Sequence, residues 1–482
     1  MKPRALLAVA CALAGCTVGP DFRAPDPPAT DRYVRGELPA VQGMPRLVAS
    51  RDIPAEWWTV FESPKIDALV QRALAGSPTL DEARARLTQA QALREARAGA
   101  TQYPRLDLTA GAERERIDPA TFGFPQAPNP GPFNVFSLGM NASYNFDVFG
   151  GTRRELEALA ADVDFQSYEL EGARLTLASN VVATAIRQAA LAAQIALTSA
   201  ILDSQRRELA ITEERYRAGG VAWFSVQSQA ALVAQTEAGL PPLRAQFEQA
   251  GHQLAVLAGE PPGSAEIPVL ALDELRLPAE LPVRLPSELV RQRPDIRASE
   301  ALLHKASANV GVATADLYPK FVVSGGFSSS QLNIGDVLGN GINLWNIAIN
   351  LMQPVIRGGE LQARKRAAEA AYDQALGAYR QTVLQGLENV ADTLRALESD
   401  AQAVAARSEQ SARVDDVYRI ALERYRAGGV SELTLIDAER QRLSAEMDRL
   451  VSTANRYSDA AILFQALGGG WKEEAAPVSA VQ

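Results

Sequence analysis

The chain has 482 residues, 48 Lys and Arg against 57 Asp and Glu, and a formal net charge of −9. An acidic chain without a basic stripe is a poor match for nucleic acid. Two cysteines (Cys11 and Cys16), two histidines (His252 and His304) and the lack of any HExxH, GxGxxG, P-loop or G-x-S-x-G pattern give no sign of an enzyme, a metal centre or a bound cofactor.

At the start, Lys2 and Arg4 precede an apolar run from Ala5 to Leu13, the pattern of a secretory signal and too short to cross a bilayer. The run ends Leu13-Ala14-Gly15-Cys16, which resembles a bacterial lipobox. The resemblance implies a signal over residues 1–15, cleavage before Cys16 and a covalent lipid on that cysteine. Thr17 in place of Asp favours sorting to the outer membrane. Cys11 and the two basic residues leave with the signal, so the mature chain has no intramolecular disulfide and carries 46 basic against 57 acidic side chains, a net −11. Residues 16–56 contain Pro20, Pro25, Pro27, Pro28, Pro39, Pro45 and Pro54, cannot be regular helix, and read as an extended arm.

Beyond the arm the chain repeats itself. Residues 215–221 and 424–430 share the heptapeptide Arg-Tyr-Arg-Ala-Gly-Gly-Val, 209 positions apart. Pro78 matches Pro294, Tyr103-Pro104 matches Tyr318-Pro319, and Gly150-Gly151 matches Gly358-Gly359, at offsets of 216, 215 and 208. Landmarks that keep order and spacing mark a duplication. The first repeat is placed at 57–258, a linker at 259–293, the second repeat at 294–468 and a tail at 469–482. Each half reads helix, strand pair, very long helix, glycine tip, helix.

The strands come first in each half. From Phe136 to Val148 the even positions are Phe, Leu, Met, Ala, Tyr, Phe and Val, and the odd ones Ser, Gly, Asn, Ser, Asn and Asp. Period-2 alternation makes a strand with one apolar and one polar face. The same pattern runs through Leu106, Leu108, Ala110 and Ala112, through Phe321, Val323 and Phe327, and through Trp345, Ile347, Ile349 and Leu351, which predicts strands over about 105–117, 133–148, 321–331 and 342–355. Each suits a tilted membrane strand. A bilayer admits strands only in a closed barrel, and four cannot close one. Three chains would give 12 strands, with the apolar face toward lipid and the polar face lining a lumen.

The helices follow. Residues 152–218 and 360–427 contain no proline and, inside, only Gly172 or Gly377 and Gly386. Each would be roughly 100 Å long at about 1.5 Å per residue. Stretches 78–102 with 222–258, and 295–317 with 431–467, supply shorter partners. The two Gly-Gly pairs break the helices into hairpin tips. The expected fold is mainly α, an α-helical barrel built from a duplicated repeat and joined to a β-barrel, with the proline-rich linker and both ends of the chain as a collar.

Cys-Thr-Val-Gly-Pro-Asp-Phe from Cys16, then Pro25 and Trp57-Trp58, resembles the opening of the TolC-like outer-membrane factor family, in its lipoprotein (OprM/NodT-type) branch, and the resemblance extends over nearly the whole chain. It implies a homotrimeric, passive duct in a tripartite efflux pump. Its partners would be a periplasmic adaptor (membrane fusion) protein, an inner-membrane transporter of the resistance–nodulation–division type, and outer-membrane lipid. A type I protein-secretion duct and a non-conducting periplasmic stalk are the alternatives. The tips, with Arg217, Gly219, Gly220, Arg426, Gly428 and Gly429, are the expected adaptor dock. After the second tip, Leu433-Thr434-Leu435-Ile436-Asp437-Ala438-Glu439-Arg440 resembles the family stretch Leu-Thr-Leu-Leu-Asp-Ala-Gln-Arg. By that resemblance Leu433, Asp437 and Arg440 form a periplasmic gate, with Tyr425 as a further member. Their i, i+4, i+7 spacing puts the three on one helix face. Glu439 stands where the family has Gln.

Overall fold

The computed structural model describes residues 17–36, 44–49, 53–339 and 342–471. The expected signal, the expected lipidation site Cys16 and most of the tail lie outside them. In chain order the elements are β1 (Arg46–Ala49), α1 (Pro64–Gly76), α2 (Pro78–Gln102), β2 (Arg105–Glu115), β3 (Phe133–Phe146), α3 (Gly151–Arg217), α4 (Trp223–Leu257), β4 (Glu280–Val283), α5 (Pro286–Gln292), α6 (Pro294–Ala315), β5 (Lys320–Gln331), β6 (Ile342–Met352), α7 (Glu360–Arg426) and α8 (Glu432–Ala466). The chain is mainly helical. Each long helix has 67 residues, in the length range expected from the proline-free runs. One feature runs against composition: α4 continues through Pro241 and Pro242. Proline removes a donor and crowds the preceding turn; the flanking residues 237–239 are not buried, so carbonyls freed there can bond to water.

By internal contacts the chain forms two units, and each long helix contributes a segment to both. The first holds residues up to 25, 86–166 and 299–379. Its centre is a four-stranded antiparallel sheet in the order β2-β3-β5-β6, so the strand pairs of the two repeats join through β3 and β5. Register aligns the apolar sets across all four strands. Leu106 faces Ala142, Gly325 and Ile347 in one row, and Leu108 faces Met140, Phe327 and Trp345 in the next. A slip of one residue would put each set on the other face, so the alternation itself specifies the pairing.

The same unit seats the start of the arm. Val18 N–H donates to the Phe149 carbonyl at 3.1 Å. Arg154, nearly buried at the start of α3, donates to Asp21 at 2.6 Å and to Glu157 at 2.7 Å. Phe22 stacks on His304 at 4.4 Å, and His304 Nε2 lies 2.9 Å from Glu157. His304 is thus a packed, bonded side chain of α6. Gly19 has φ +92°, and a Cβ there would stand 2.5 Å from the Cα of Gly311. The motif Val18–Phe22 is therefore shaped to its seat, with a glycine for close approach, a carboxylate for Arg154 and a ring for His304.

The second unit holds residues 26–85, 167–298 and 380–471 of the described chain. The arm is not wholly irregular: its β1 pairs in parallel with β4 of the linker, Arg46 opposite Glu280. Around this short ladder lies a dense apolar core. Trp57 stacks on Phe464 at 5.3 Å, and Phe61, Ile66, Leu275, Leu281, Leu289 and Ile296 are fully buried. Arg284 and Arg293, both buried, donate to the carbonyls of Leu467 and Ala466 at the end of α8. Arm, linker and C-terminal helix thus close on one another.

Candidate functional site at the helix tips

Both glycine tips are built by the same hydrogen bonds. In the first, Gly219 N–H donates to the Tyr216 carbonyl (2.9 Å) and Gly220 N–H to the Arg215 carbonyl (2.7 Å); in the second, Gly428 donates to Tyr425 (2.9 Å) and Gly429 to Arg424 (2.8 Å). These paired bonds satisfy carbonyls that a helix end otherwise leaves open, and require one residue in the left-handed conformation. That residue is Gly219 at φ +71° and Gly428 at φ +74°. Gly220 and Gly429 do not have positive φ; a Cβ on them would meet the carbonyl oxygen of Arg215 or Arg424 at 3.3 or 3.4 Å. Only the first glycine of each pair is demanded by backbone geometry. Arg217 bonds Glu213 at 3.4 Å on its own helix, and Arg426 is exposed.

The tips differ in what they present. Trp223 and Phe224 follow the first, with Trp223 tilted against Tyr216 at 5.2 Å and Phe224 80% exposed. Glu432 and Leu433 hold the matching places after the second.

Behind the second tip, α8 opens with Ser431, whose hydroxyl caps the Thr434 N–H at 3.2 Å. Asp437 and Arg440 do come together: Arg440 Nη2 donates to Asp437 Oδ1 at 2.5 Å, and Gln441 donates to Oδ2 at 2.7 Å. Leu433 lies on the same half-exposed face. Of the four expected gate residues the structure bonds Asp437 to Arg440 and puts Leu433 on their helix; within the described chain the Tyr425 hydroxyl makes no hydrogen bond to this pair. An exposed i, i+3 pair alone contributes about 0.3–0.5 kcal/mol.

The surroundings add what the sequence reading missed. Glu439 reaches across to α3, where it accepts from Arg207 Nη2 at 2.5 Å and from the fully buried Ser204 hydroxyl at 3.1 Å. Next to Arg207, Glu208 accepts from Gln229 of α4 at 3.0 Å. Burial raises the Glu208 carboxyl above its usual range, Arg440 pulls it down, and Asp437 pushes it up. Glu208 thus lies in the field of both Asp437 and Arg440. Arg440 Nε is buried without a partner. The result is a polar layer joining α3, α4 and α8, held by Ser204, Arg207, Glu208 and Gln229 as well as by the expected residues. The carboxylate in place of the family Gln was the only sequence signal for it; which helix it meets is a packing fact. Among the described residues no group of three or more His, Cys, Asp or Glu is arranged to hold a metal ion.

Comparison with known proteins places this geometry. The chain is 31% identical over 421 residues to the pyoverdine export outer membrane protein OpmQ of Pseudomonas aeruginosa, covering 87% of this chain and 88% of that one. It superposes on the outer-membrane channel OprN with a TM-score of 0.81 at 30% identity, covering 95% of this chain and all of the other. The open state of the Neisseria gonorrhoeae MtrE outer membrane channel matches with a TM-score of 0.80 at 25% identity, covering 94% and 98%. A family model described as outer membrane efflux protein matches residues 69–260 and 285–469, which are most of the two repeats, and the chain accordingly belongs to that family of outer-membrane efflux proteins.

Proposed function

We propose that the chain is the outer-membrane channel of a tripartite efflux system, a homotrimeric duct for passive export of small molecules. The observation that carries the trimer is the sheet. Its four strands end in two edges, β2 and β6, with no partner among the described strands, and one face is mainly apolar while the other is mainly polar, with Phe133, Val135, Val322, Leu344 and Met352 among the apolar members of the polar face. Open strand edges are not tolerated in hydrocarbon, and closure of three such sheets, β6 to the next copy's β2, gives a 12-stranded barrel. The polar face then lines a wet lumen. The two 67-residue helices, roughly 100 Å each, have the reach to continue such a duct through the periplasm.

In this reading the lipid on Cys16 aids placement, and the arm seated at Arg154 and His304 fixes where it emerges. The six tips of a trimer receive a periplasmic adaptor, and an inner-membrane transporter of the resistance–nodulation–division type supplies the energy. The small-molecule assignment draws on the relative named for pyoverdine export. Leu433, Asp437 and Arg440 form the constriction, and the bonds from Glu439 to Arg207 and Ser204 hold α8 against α3 in the closed state. Three Asp437 carboxylates at one level repel unless a cation pairs with each, which is the part Arg440 plays. Purified protein in planar bilayers tests the reading: discrete conductance steps and loss of drug tolerance on deletion are expected. Trimers that never conduct would reduce the protein to a stalk.

A further inference from the structure

The polar face of the sheet is not uniform. On β3 and β6 it carries no charge at any position, and on β5 only at the first residue, Lys320, which bonds Asp316 at 2.8 Å. The remaining charges of that face lie on β2: Arg105, Asp107, Glu113 and Glu115. Because β2 is an edge strand, three copies would set three charged stripes between three broad uncharged ones.

One row across the sheet is richest in oxygen. Asp107 faces Asn141, Asn141 faces Gly326, and Gly326 faces Asn346. A Cβ on Gly326 would lie 2.8 Å from Asn346 Oδ1 and 3.1 Å from Asn141 Oδ1, so both amides lean over the glycine from either side. The row above, toward Glu113, holds Thr109, Gly139, Ser328 and the apolar Leu344, so it offers only two hydroxyls and no carboxylate or amide side chain. The opposite face of the wall is apolar, and field lines from a charge on a low-dielectric wall concentrate in the water it encloses. Arg105 is the nearest opposing charge on this face, two residues away or about 7 Å along β2. That separation is close to the Debye length of about 8 Å at physiological salt, so Arg105 offsets Asp107 only in part.

Resting on the barrel reading above, we propose that Asp107, aided by Asn141 and Asn346, gives the barrel lumen its preference for cationic over anionic solutes. Threefold symmetry puts the three Asp107 carboxylates at one level, and each has an amide beside it that can turn an oxygen to a passing cation. Rings of carboxylates select cations in this way in other pores. The uncharged stripes between them leave room for neutral solutes, so the preference acts on charge rather than on size.

The experiment measures reversal potential under a KCl gradient in planar bilayers, in an Asp437→Ala background that relieves the narrow tip. The parent should favour K+ over Cl−. Asp107→Asn should lower the permeability ratio by about threefold or more, Asp107→Lys should invert it, and Arg105→Gln should raise it. An unchanged ratio in the isosteric Asp107→Asn, in channels of normal conductance, overturns the proposal. So does a loss of preference on replacing Glu113 and Glu115 by Gln while Asp107→Asn has no effect. Absence of any conductance in the parent would sink the channel reading itself, a different failure.

Discussion

The facing of the strands is tested most directly at neighbouring positions of β6. Ile347 is the sixth of its eleven residues, 75% exposed within one chain, and lies opposite Gly325, which has no side chain to cover it. Its neighbours on that face, Trp345 and Ile349, are equally bare, while Asn346 points the other way. If the bare apolar face meets lipid, arginine at Ile347 costs roughly 2–4 kcal/mol per copy, and three times that per trimer. Arginine at Asn346 enters the wet face and costs well under about 1 kcal/mol. The difference of more than about 1 kcal/mol is at least about a fivefold shift in an assembly equilibrium for each copy. Trimer yield in the outer-membrane fraction, read as the species that resists dissociation in mild detergent, should collapse for Ile347→Arg and hold for Asn346→Arg. Equal losses at the two positions, or greater loss at Asn346, would refute the assignment of faces. Phe136, Leu138, Tyr144 and Phe146 share the face of Ile347 by register and should behave alike.

Metabolic labelling with a palmitate analogue should mark the protein and vanish in Cys16→Ser; persistence of the label would remove the lipid anchor. Asp437→Ala should raise single-channel conductance or admit a large antibiotic normally excluded, and Glu439→Gln should do so more weakly, since it loses the charge facing Arg207 but can still bond Ser204; wild-type behaviour of both at equal trimer levels would take this layer out of the gate. Gly219→Val and Gly428→Val should destabilise their tips by about 1 kcal/mol or more through positive φ. By contrast, Gly220→Val and Gly429→Val should leave trimers intact and impair efflux, and normal efflux from such trimers would end the docking role. Asp400 on α7 is raised to about 7, mainly by burial and then by the neighbouring Asp459 carboxyl, against a partial pull from Arg456. A raised carboxyl favours the folded state while protonated, so its contribution is complete below about pH 4 and lost as pH rises through 7. Asp400→Asn should therefore gain on the parent between those values, by on the order of 1–2 kcal/mol at pH 8 after allowance for its partial exposure. A pH-independent difference in unfolding midpoint would contradict this.

Some of this protein was written in its sequence because the signals are local. Alternation from Phe136 to Val148 needs no partner to be read, since successive side chains of a strand must point to opposite faces. A proline-free run of about 67 residues ending in Gly-Gly is a long helix with a stop, whatever it packs against. Spacing put Asp437 and Arg440 on one face of α8, and their bond follows from that helix alone. Other features depend on groups far apart in the chain. Nothing in β3 or β5 says that they pair with each other across the repeats, because the alternation of each would suit any antiparallel neighbour. The four-residue β1 finds β4 more than 230 residues later, and a strand so short has no period to detect. Which glycine of each tip takes the left-handed conformation was decided by where the helix ends, which two identical letters cannot indicate. Glu439 was visible as a departure from the family stretch, yet its meeting with Arg207 and the buried Ser204 is set by the packing of α8 on α3. Periodicity fixes which way a side chain faces along its own element; only the packed tertiary structure decides what it faces.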